Sequence, residues 1–172
     1  NTAYAEYSVA ANEVPLIKVI PLAVGSVLIS RYVQFNLQSK KDELLSLWYK
    51  GIEKVSLLVI PMTILFTLLA PELITFLFET EGVSYANAVL PFQLYNLIVL
   101  IRVTHYGSIL QAFGDTKGVF YFSLNLLAAN VILSVPMTMY FGIVGTALGT
   151  LIANLYNWLL LLRRIGTHME LP

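Results

Sequence analysis

Polar residues interrupt this chain rarely and in clusters, and the apolar runs between the clusters reach the length of a membrane crossing. A hydrocarbon core about 30 Å thick takes roughly 20 helical residues to cross. Five segments have that size: about Val14–Tyr32, Val55–Phe78, Ala88–Gln111, Val119–Phe141 and Ile143–Leu162. The first is broken only by Lys18, the second holds Pro61, Pro71 and Glu72, and the third carries Arg102 and His105. The last two contain no charge. Lipid satisfies backbone amides only in helices or closed barrels, and continuous runs rather than ten-residue alternation predict helices. The expected fold class is all-α, a polytopic membrane helix bundle of about five transmembrane helices. Residues 1–166 form one transmembrane lobe on this reading, and 167–172 a polar tail without helical pattern.

The connections predict an orientation. Arg31, Lys40, Lys41, Lys50 and Lys54 lie between the first two spans, whereas Glu79 and Glu81 lie between the second and third. Lys117 follows the third span, the Phe141-Gly142 turn is uncharged, and Arg163-Arg164 follows the fifth. Basic residues thus fall on alternate connections, which positive-inside logic places in the cytoplasm together with the C-terminus. Asn1 is then expected outside, and the chain is expected to be the C-terminal part of a longer protein whose N-terminal half is missing. Within the first inner connection, Ser39 and Asp42 have capping-box spacing, and Leu44, Leu45, Trp48, Ile52 and Val55 recur at helical spacing. An amphipathic helix at the inner interface is predicted to run into the second span, with Trp48 and Tyr49 at headgroup depth.

Composition narrows the function. Across 172 residues, 58% are hydrophobic and 12% charged, too few polar groups to coat a soluble domain. An apolar, uncharged chain is not disordered, and a net charge of +0 without a basic stripe excludes a nucleic-acid partner. There is no cysteine, hence no disulfide or thiolate metal site, and His105 and His168 alone do not suggest a metal. The sequence contains no zinc-protease, nucleophile-elbow or phosphate-loop motif, so neither an enzyme nor a cofactor is expected.

Charge at membrane depth marks candidate functional residues. On a 3.6-residue wheel, Arg102 shares a face with Tyr95, His105, Tyr106 and Ile109. A guanidinium among phenols and an imidazole suits a phosphate or a sugar, although Arg102 could also snorkel to the inner turn. Lys18, on a face with Pro21, Leu22 and Gly25, is open to the same two readings. The substrate-pathway candidates are therefore Arg102, His105, Tyr95, Tyr106 and Lys18. In the fifth span Gly145, Gly149 and Ala153 form a small-residue ridge for helix contact. Beside it run Thr146, Thr150, Asn154 and Asn157, and Ser123, Asn130 and Ser134 lie on the fourth span, as helix glue or pathway lining. Prolines at 15, 21, 61, 71, 91 and 136 predict breaks in the first four spans.

Four passages carry a resemblance. Tyr7-Ser8-Val9-Ala10-Ala11 with Gly25-Ser26-Val27-Leu28-Ile29-Ser30-Arg31, Ala70-Pro71-Glu72-Leu73-Ile74 with Phe78, Gln111-Ala112-Phe113-Gly114-Asp115-Thr116-Lys117, and Tyr140-Phe141-Gly142-Ile143-Val144-Gly145-Thr146-Ala147 occur in order. Together they resemble polysaccharide-export flippases of the O-antigen type, which share a superfamily with multidrug and toxic-compound extrusion proteins. Ser30 stands where those proteins carry proline and Glu79 where they carry glycine. The resemblance implies a fragment of a two-lobe transporter working by alternating access in the bacterial inner membrane. Its implied cargo is a lipid-linked oligosaccharide, an O-antigen or other polysaccharide repeat unit. Implied partners are the bilayer, the missing N-terminal half and polysaccharide assembly proteins. A cation-coupled multidrug exporter and a membrane-embedded glycan polymerase or transferase are the alternatives.

Overall fold

A computed structural model describes residues 2–11, 15–78 and 84–169. Its elements are α1 (Thr2–Ala10), α2 (Pro15–Leu37), α3 (Lys41–Leu68), α4 (Ala70–Phe78), a 3-10 turn (Ala86–Ala88), α5 (Val89–Arg102), α6 (Tyr106–Ala112) and α7 (Thr116–Met169). No strand occurs among the described residues, and the all-α membrane bundle holds. Four helical stretches among them are long and apolar enough to cross a membrane. The fourth, α7, has 54 residues, about 80 Å at ~1.5 Å per residue and too long for one crossing. It doubles back at Gly142, whose φ of 59° and ψ of −140° lie in a region that essentially only glycine occupies. Its two arms, residues 116–141 and 143–169, correspond to the fourth and fifth predicted spans.

Lys41–Leu68 is one continuous helix, so the amphipathic lead-in and the second span are not separate elements. Leu44, Trp48, Gly51, Val55, Val59 and Thr63, three or four residues apart, form its buried stripe. Two expectations about its start are corrected. Ser39 is not a helix cap for α3: it sits at φ 57° and ends α2. Its N–H donates to Asn36 O at 3.0 Å and the Lys40 N–H to Phe35 O at 2.9 Å, the paired bonds of a Schellman ending. Trp48 is not a headgroup anchor but a buried residue, donating from Nε1 to Thr104 O at 2.6 Å.

The interruptions are also fewer than the prolines suggested. Pro15, Pro71 and Pro91 lie in first turns, where a missing N–H has no partner to lose, and α2, α3 and α7 run through Pro21, Pro61 and Pro136. The second span does break, at Leu69, just before Pro71. Proline at 71 cannot donate to the carbonyl of Thr67 four residues earlier, and Gln93 Nε2 of α5 donates to that oxygen at 2.9 Å instead. Asn96 Nδ2, a turn further on, donates to Thr63 O and Thr67 Oγ1. This is how a membrane bundle tolerates a freed carbonyl.

Helix α5 is the centre, touching α1, α2, α3, α4 and α7. At one end of the bundle Tyr32, Leu44, Trp48, Ile109, Leu110, Leu161 and Ile165 form a core, and at the other Val9, Ala10, Ala70, Ile74, Ala88 and Phe92 form a second. Large apolar side chains such as Leu57, Phe76, Met139 and Tyr140 are exposed on the outer surface, as the lipid face of such a bundle requires. The end of α7 differs from expectation, because the helix continues through Thr167 and His168 to Met169. Thr167 Oγ1 donates to Arg163 O there, and residues 170–172 lie outside the described ones. The expectations placed on Glu79 and Glu81 also lie outside the described residues.

Candidate functional site

The third span is where the bundle is irregular. Helix α5 ends at Arg102, α6 begins at Tyr106, and the three residues between them leave the helical ladder. His105 adopts a left-handed backbone, φ 47° and ψ 29°. For a residue other than glycine that conformation costs about 1–3 kcal/mol, and it persists only where the surroundings impose it. Here they do. Both tryptophans of the chain converge on Thr104, Trp48 Nε1 on its carbonyl at 2.6 Å and Trp158 Nε1 on its hydroxyl at 3.3 Å. The hydroxyl in turn donates to Ile101 O at 2.8 Å. The break is thus held from α3 and from α7 at once.

Glycines on two neighbours bring the broken segment close. A Cβ on Gly25 of α2 would stand 2.7 Å from Ser108 Oγ and 3.4 Å from His105 Nδ1. A Cβ on Gly51 of α3 would lie 3.8 Å from His105 Cδ2 and 3.4 Å from Tyr32 Oη. The imidazole is therefore wedged between α2 and α3, with 5% of His105 exposed and the backbone of Pro21 and Gly51 alongside the ring. Neither His105 Nε2 nor Tyr32 Oη makes a hydrogen bond among the described residues, although both are buried.

Beside this point opens a cleft of about 180 Å³, lined by Pro21 and Leu22 of α2, Arg102 of α5, His105, and Tyr106, Gly107 and Ser108 of α6. One water needs only ~10–15 Å³ of such space, so the cleft admits a group of several heavy atoms. It offers a guanidinium, an imidazole, a phenol and a hydroxyl, the donors that a phosphate or a sugar hydroxyl needs.

Three of the five pathway candidates, Arg102, His105 and Tyr106, meet in this cleft. Tyr95 does not: it is buried against Ile98 and Ala147, with Tyr7 and Leu151 packed around them. Ile109 likewise belongs to the core formed by Tyr32, Leu44 and Trp48. The single face drawn on a helical wheel is corrected here, because the wheel assumes one uninterrupted helix and the ladder is broken at 103–105. Lys18 lies on α2 one turn before Leu22, and its side chain is outside the described residues. Sequence reasoning missed Thr104, Ser108, Trp48 and Trp158. A tryptophan predicted at span depth signals a need for an acceptor, but nothing in the sequence says which carbonyl is free.

The ridge of Gly145, Gly149 and Ala153 is buried in the α7 hairpin. A Cβ on Gly149 would stand 2.7 Å from Ser134 Cα and 2.8 Å from Ser134 N, and one on Gly145 would strike the Met137 carbonyl. Along the same seam Thr138 and Thr146 hydroxyls bond at 2.7 Å, Ser134 donates to Asn130 Oδ1 at 2.7 Å, and Thr150 Oγ1 donates to Asn130 Oδ1 at 3.3 Å.

The family follows from comparison of the whole chain. A family model described as lipid II flippase MurJ matches residues 1–171. The chain belongs to the lipid II flippase MurJ family. Searches against curated proteins and solved structures give no match. MurJ-family proteins are flippases, so this is a multi-pass membrane protein of a transporter family and not an enzyme. The resemblance to lipid-linked flippases holds at the level of the flippase family, and the family model that matches is the lipid II one.

At the end of the MurJ-family bundle that carries the third-to-fourth connection, Asp115 forms a clamp. Gly114, at φ 73°, ends α6 with the Schellman pair Gly114 N–H to Gln111 O and Asp115 N–H to Leu110 O. Asp115 then caps α7, its Oδ1 accepting the Gly118 N–H at 3.0 Å. Its Oδ2 accepts Arg164 Nε at 2.8 Å and lies 3.0 Å from His168 Nε2, on the last turns of the same helix after its return. Phe113 stacks on the His168 ring at 4.9 Å. Arg164, then His168, hold the Asp115 carboxyl well below the usual carboxylate range. A depressed carboxylate contributes stability that is present above the unfolded pKa of about 3.9 and lost as pH falls through the folded value. The clamp is therefore closed throughout the neutral range.

Asp115→Ala is expected to lower stability by about 1–2 kcal/mol through loss of the cap, because the Arg164 pair is open to solvent and screened. Asp115→Asn should cost less, because the amide oxygen can still accept from Gly118. Thermal unfolding in detergent micelles measures both, and equal melting points for the two variants would contradict the cap.

Proposed function

We propose that this MurJ-family protein carries a lipid-linked saccharide precursor across the bacterial inner membrane by alternating access, with a peptidoglycan precursor of the lipid II class as cargo. The observation that carries this reading is the broken third span, which presents Arg102, His105, Tyr106 and Ser108 to a cleft against α2. Irregular backbone at membrane depth is tolerated where it lines a cavity, and transporter sites gather at such discontinuous helices. Arg102 and His105 face the phosphate of the cargo, and Tyr106 and Ser108 its sugar hydroxyls. The quoted motifs favour a second cargo of the same chemistry, an O-antigen or other polysaccharide repeat unit.

The test is reconstitution of the full-length protein in liposomes with fluorescent lipid II in one leaflet. Protein-dependent transfer to the other leaflet supports the reading, and transfer no faster than in protein-free liposomes overturns it. A fluorescent O-antigen lipid in parallel decides between the two cargoes.

The proposed orientation has the C-terminus in the cytoplasm. Asn36 Nδ2 donates to Ala112 O, and Asp115 reaches Arg164 and His168, so the connections bearing Lys40, Lys41, Lys117 and Arg163 gather at one end of the bundle. That end is the cytoplasmic one by the positive-inside rule. Single cysteines at Ser39 and Thr116 should be shielded from an impermeant thiol reagent in intact cells, and one at Ser84 should be labelled. The reverse pattern would invert the protein.

A further inference from the structure

The outer side of α3 holds a second hollow, away from the cleft. Opposite the buried stripe of Val55 and Val59, a space of about 400 Å³ runs along the helix, lined by Glu53, Lys54, Ser56, Leu57, Ile60 and Pro61. Ser56 and Pro61 are its short side chains, set beside the longer Leu57 and Ile60. No described residue of another helix lines it, and Leu57 is 74% exposed. Its two ends differ. Towards Leu68 the same side continues with Ile64 and Leu65, exposed and apolar. Towards the start of α3 it ends on Glu53 and Lys54, with Lys50 one turn further out, and all three are exposed. At about 100° per residue, Glu53 and Lys54 point to either side of Leu57. A carboxylate and an ammonium therefore flank the apolar track where it begins. None of these three charged side chains has a hydrogen-bond or ion-pair partner among the described residues. The apolar run of the second span starts at Val55, which puts the pair at headgroup depth.

Charge complementarity selects the occupant. A purely anionic headgroup would satisfy Lys54 and Lys50 but would bring its phosphate against Glu53. A headgroup that carries a phosphate and a cation satisfies both signs. Its cation must also bear N–H groups, because a carboxylate accepts hydrogen bonds and a quaternary ammonium has none to donate. We propose that the hollow on α3 is a binding site for phosphatidylethanolamine of the bilayer. The lipid phosphate sits on Lys54 with Lys50 behind it, the primary ammonium on Glu53, and one acyl chain along Leu57, Ile60 and Pro61. Held at headgroup and chain together, the lipid fixes the depth of α3 in the membrane. The site goes beyond the flippase reading and needs only the membrane bundle.

The experiment uses the full-length protein in phosphatidylcholine nanodiscs, doped with phosphatidylethanolamine that carries a diazirine in one acyl chain. After illumination, peptide mass spectrometry locates the adducts, which should fall on Leu57, Ile60 and Ile64. Phosphatidylcholine and phosphatidylglycerol bearing the same chain, at the same density, should label these residues about fivefold less, the factor that one charged contact at a membrane surface contributes. Glu53→Lys should reverse the order and favour phosphatidylglycerol, whereas Lys54→Gln should lower the yield of all three lipids. Equal yields from the three lipids on wild type would mean ordinary contact with bulk lipid, and would overturn the proposal. So would labelling of folded wild type that spares residues 57–64, which would mean that another segment or a partner covers this side of α3. An unchanged preference in Glu53→Lys would overturn it as well. None of these outcomes touches the flippase reading, which transfer of lipid II between leaflets decides separately.

Discussion

Gly149→Leu is expected to open the α7 hairpin and lower the stability of the protein by about 3 kcal/mol, the upper range for inserting bulk into a close contact. The reason is that the obstacle is backbone. A Cβ at 149 would lie 2.7 Å from Ser134 Cα, and no side-chain rotation can relieve a contact with a main-chain atom. The arms of α7 must separate, and with them the hydroxyl contacts of Thr138 with Thr146 and of Ser134 with Thr150. In lipid there is no hydrophobic drive to bring the arms back, because the tails are as apolar as the helices; close approach and interhelical hydrogen bonds are what hold them. Gly166→Ala is the control. Nothing lies within 4 Å of its Cβ position, so the gain in helix propensity, about 1 kcal/mol, should leave the protein as stable as before or more so. Thermal unfolding monitored by circular dichroism compares the two, and a Gly149→Leu protein that melts with wild type would show that the hairpin is not closed at this seam.

Arg102→Ala is expected to lower lipid II flipping by about ten- to a hundredfold at unchanged abundance in the membrane. A hydrogen bond to a charged group contributes about 1.5–3 kcal/mol, and each 1.4 kcal/mol is a factor of about ten in binding. The side chain lines the cleft rather than the apolar cores, so its loss should affect the load and not the fold. Arg102→Lys should be intermediate: it keeps the charge but not the planar fork that grips two phosphate oxygens. Flipping measured against cargo density separates the cases. A shift that high cargo density rescues places Arg102 in binding. Wild-type flipping at equal abundance would remove it from the site and leave the snorkelling alternative.

The two predictions concern residues whose legibility in sequence was very different. Gly145, Gly149 and Ala153 stand out because a spacing of four puts small residues on one helical face whatever the neighbour is. The neighbour itself, the backbone of Ser134 and Met137, follows from the turn at Gly142, so this contact was nearly readable from the chain. Arg102, His105 and Tyr106 were readable as polar residues at membrane depth. Their grouping with Tyr95 was not, because it assumed that an apolar run of helical length is one helix. Valine, threonine and histidine at 103–105 contain neither glycine nor proline, and no local signal announces a break there. Tryptophans more than fifty residues away in either direction hold it open. The reverse error was made with the prolines, where Pro21, Pro61 and Pro136 looked like breaks but sit within continuous helices.

Asp115 lies between these cases. Asp followed three residues later by glycine after a Gly114 ending announces a cap, and Arg164 and His168 share a face at a spacing of four. That the cap and the face meet depends on α7 returning to the level at which it began, and the length of its two arms is what brings them together.

By itself, the sequence determined that the chain is a membrane bundle of helices and which connections carry the basic residues. Those properties follow from transfer of side chains between water and lipid, which each segment undergoes independently of the others. Only the tertiary structure decided where the third span opens, that His105 is wedged between two glycines, and that Arg102 meets it in a cleft. Those depend on which backbone groups find partners on neighbouring helices, and a hydrogen bond between distant residues is a property of the assembled bundle that neither segment carries alone.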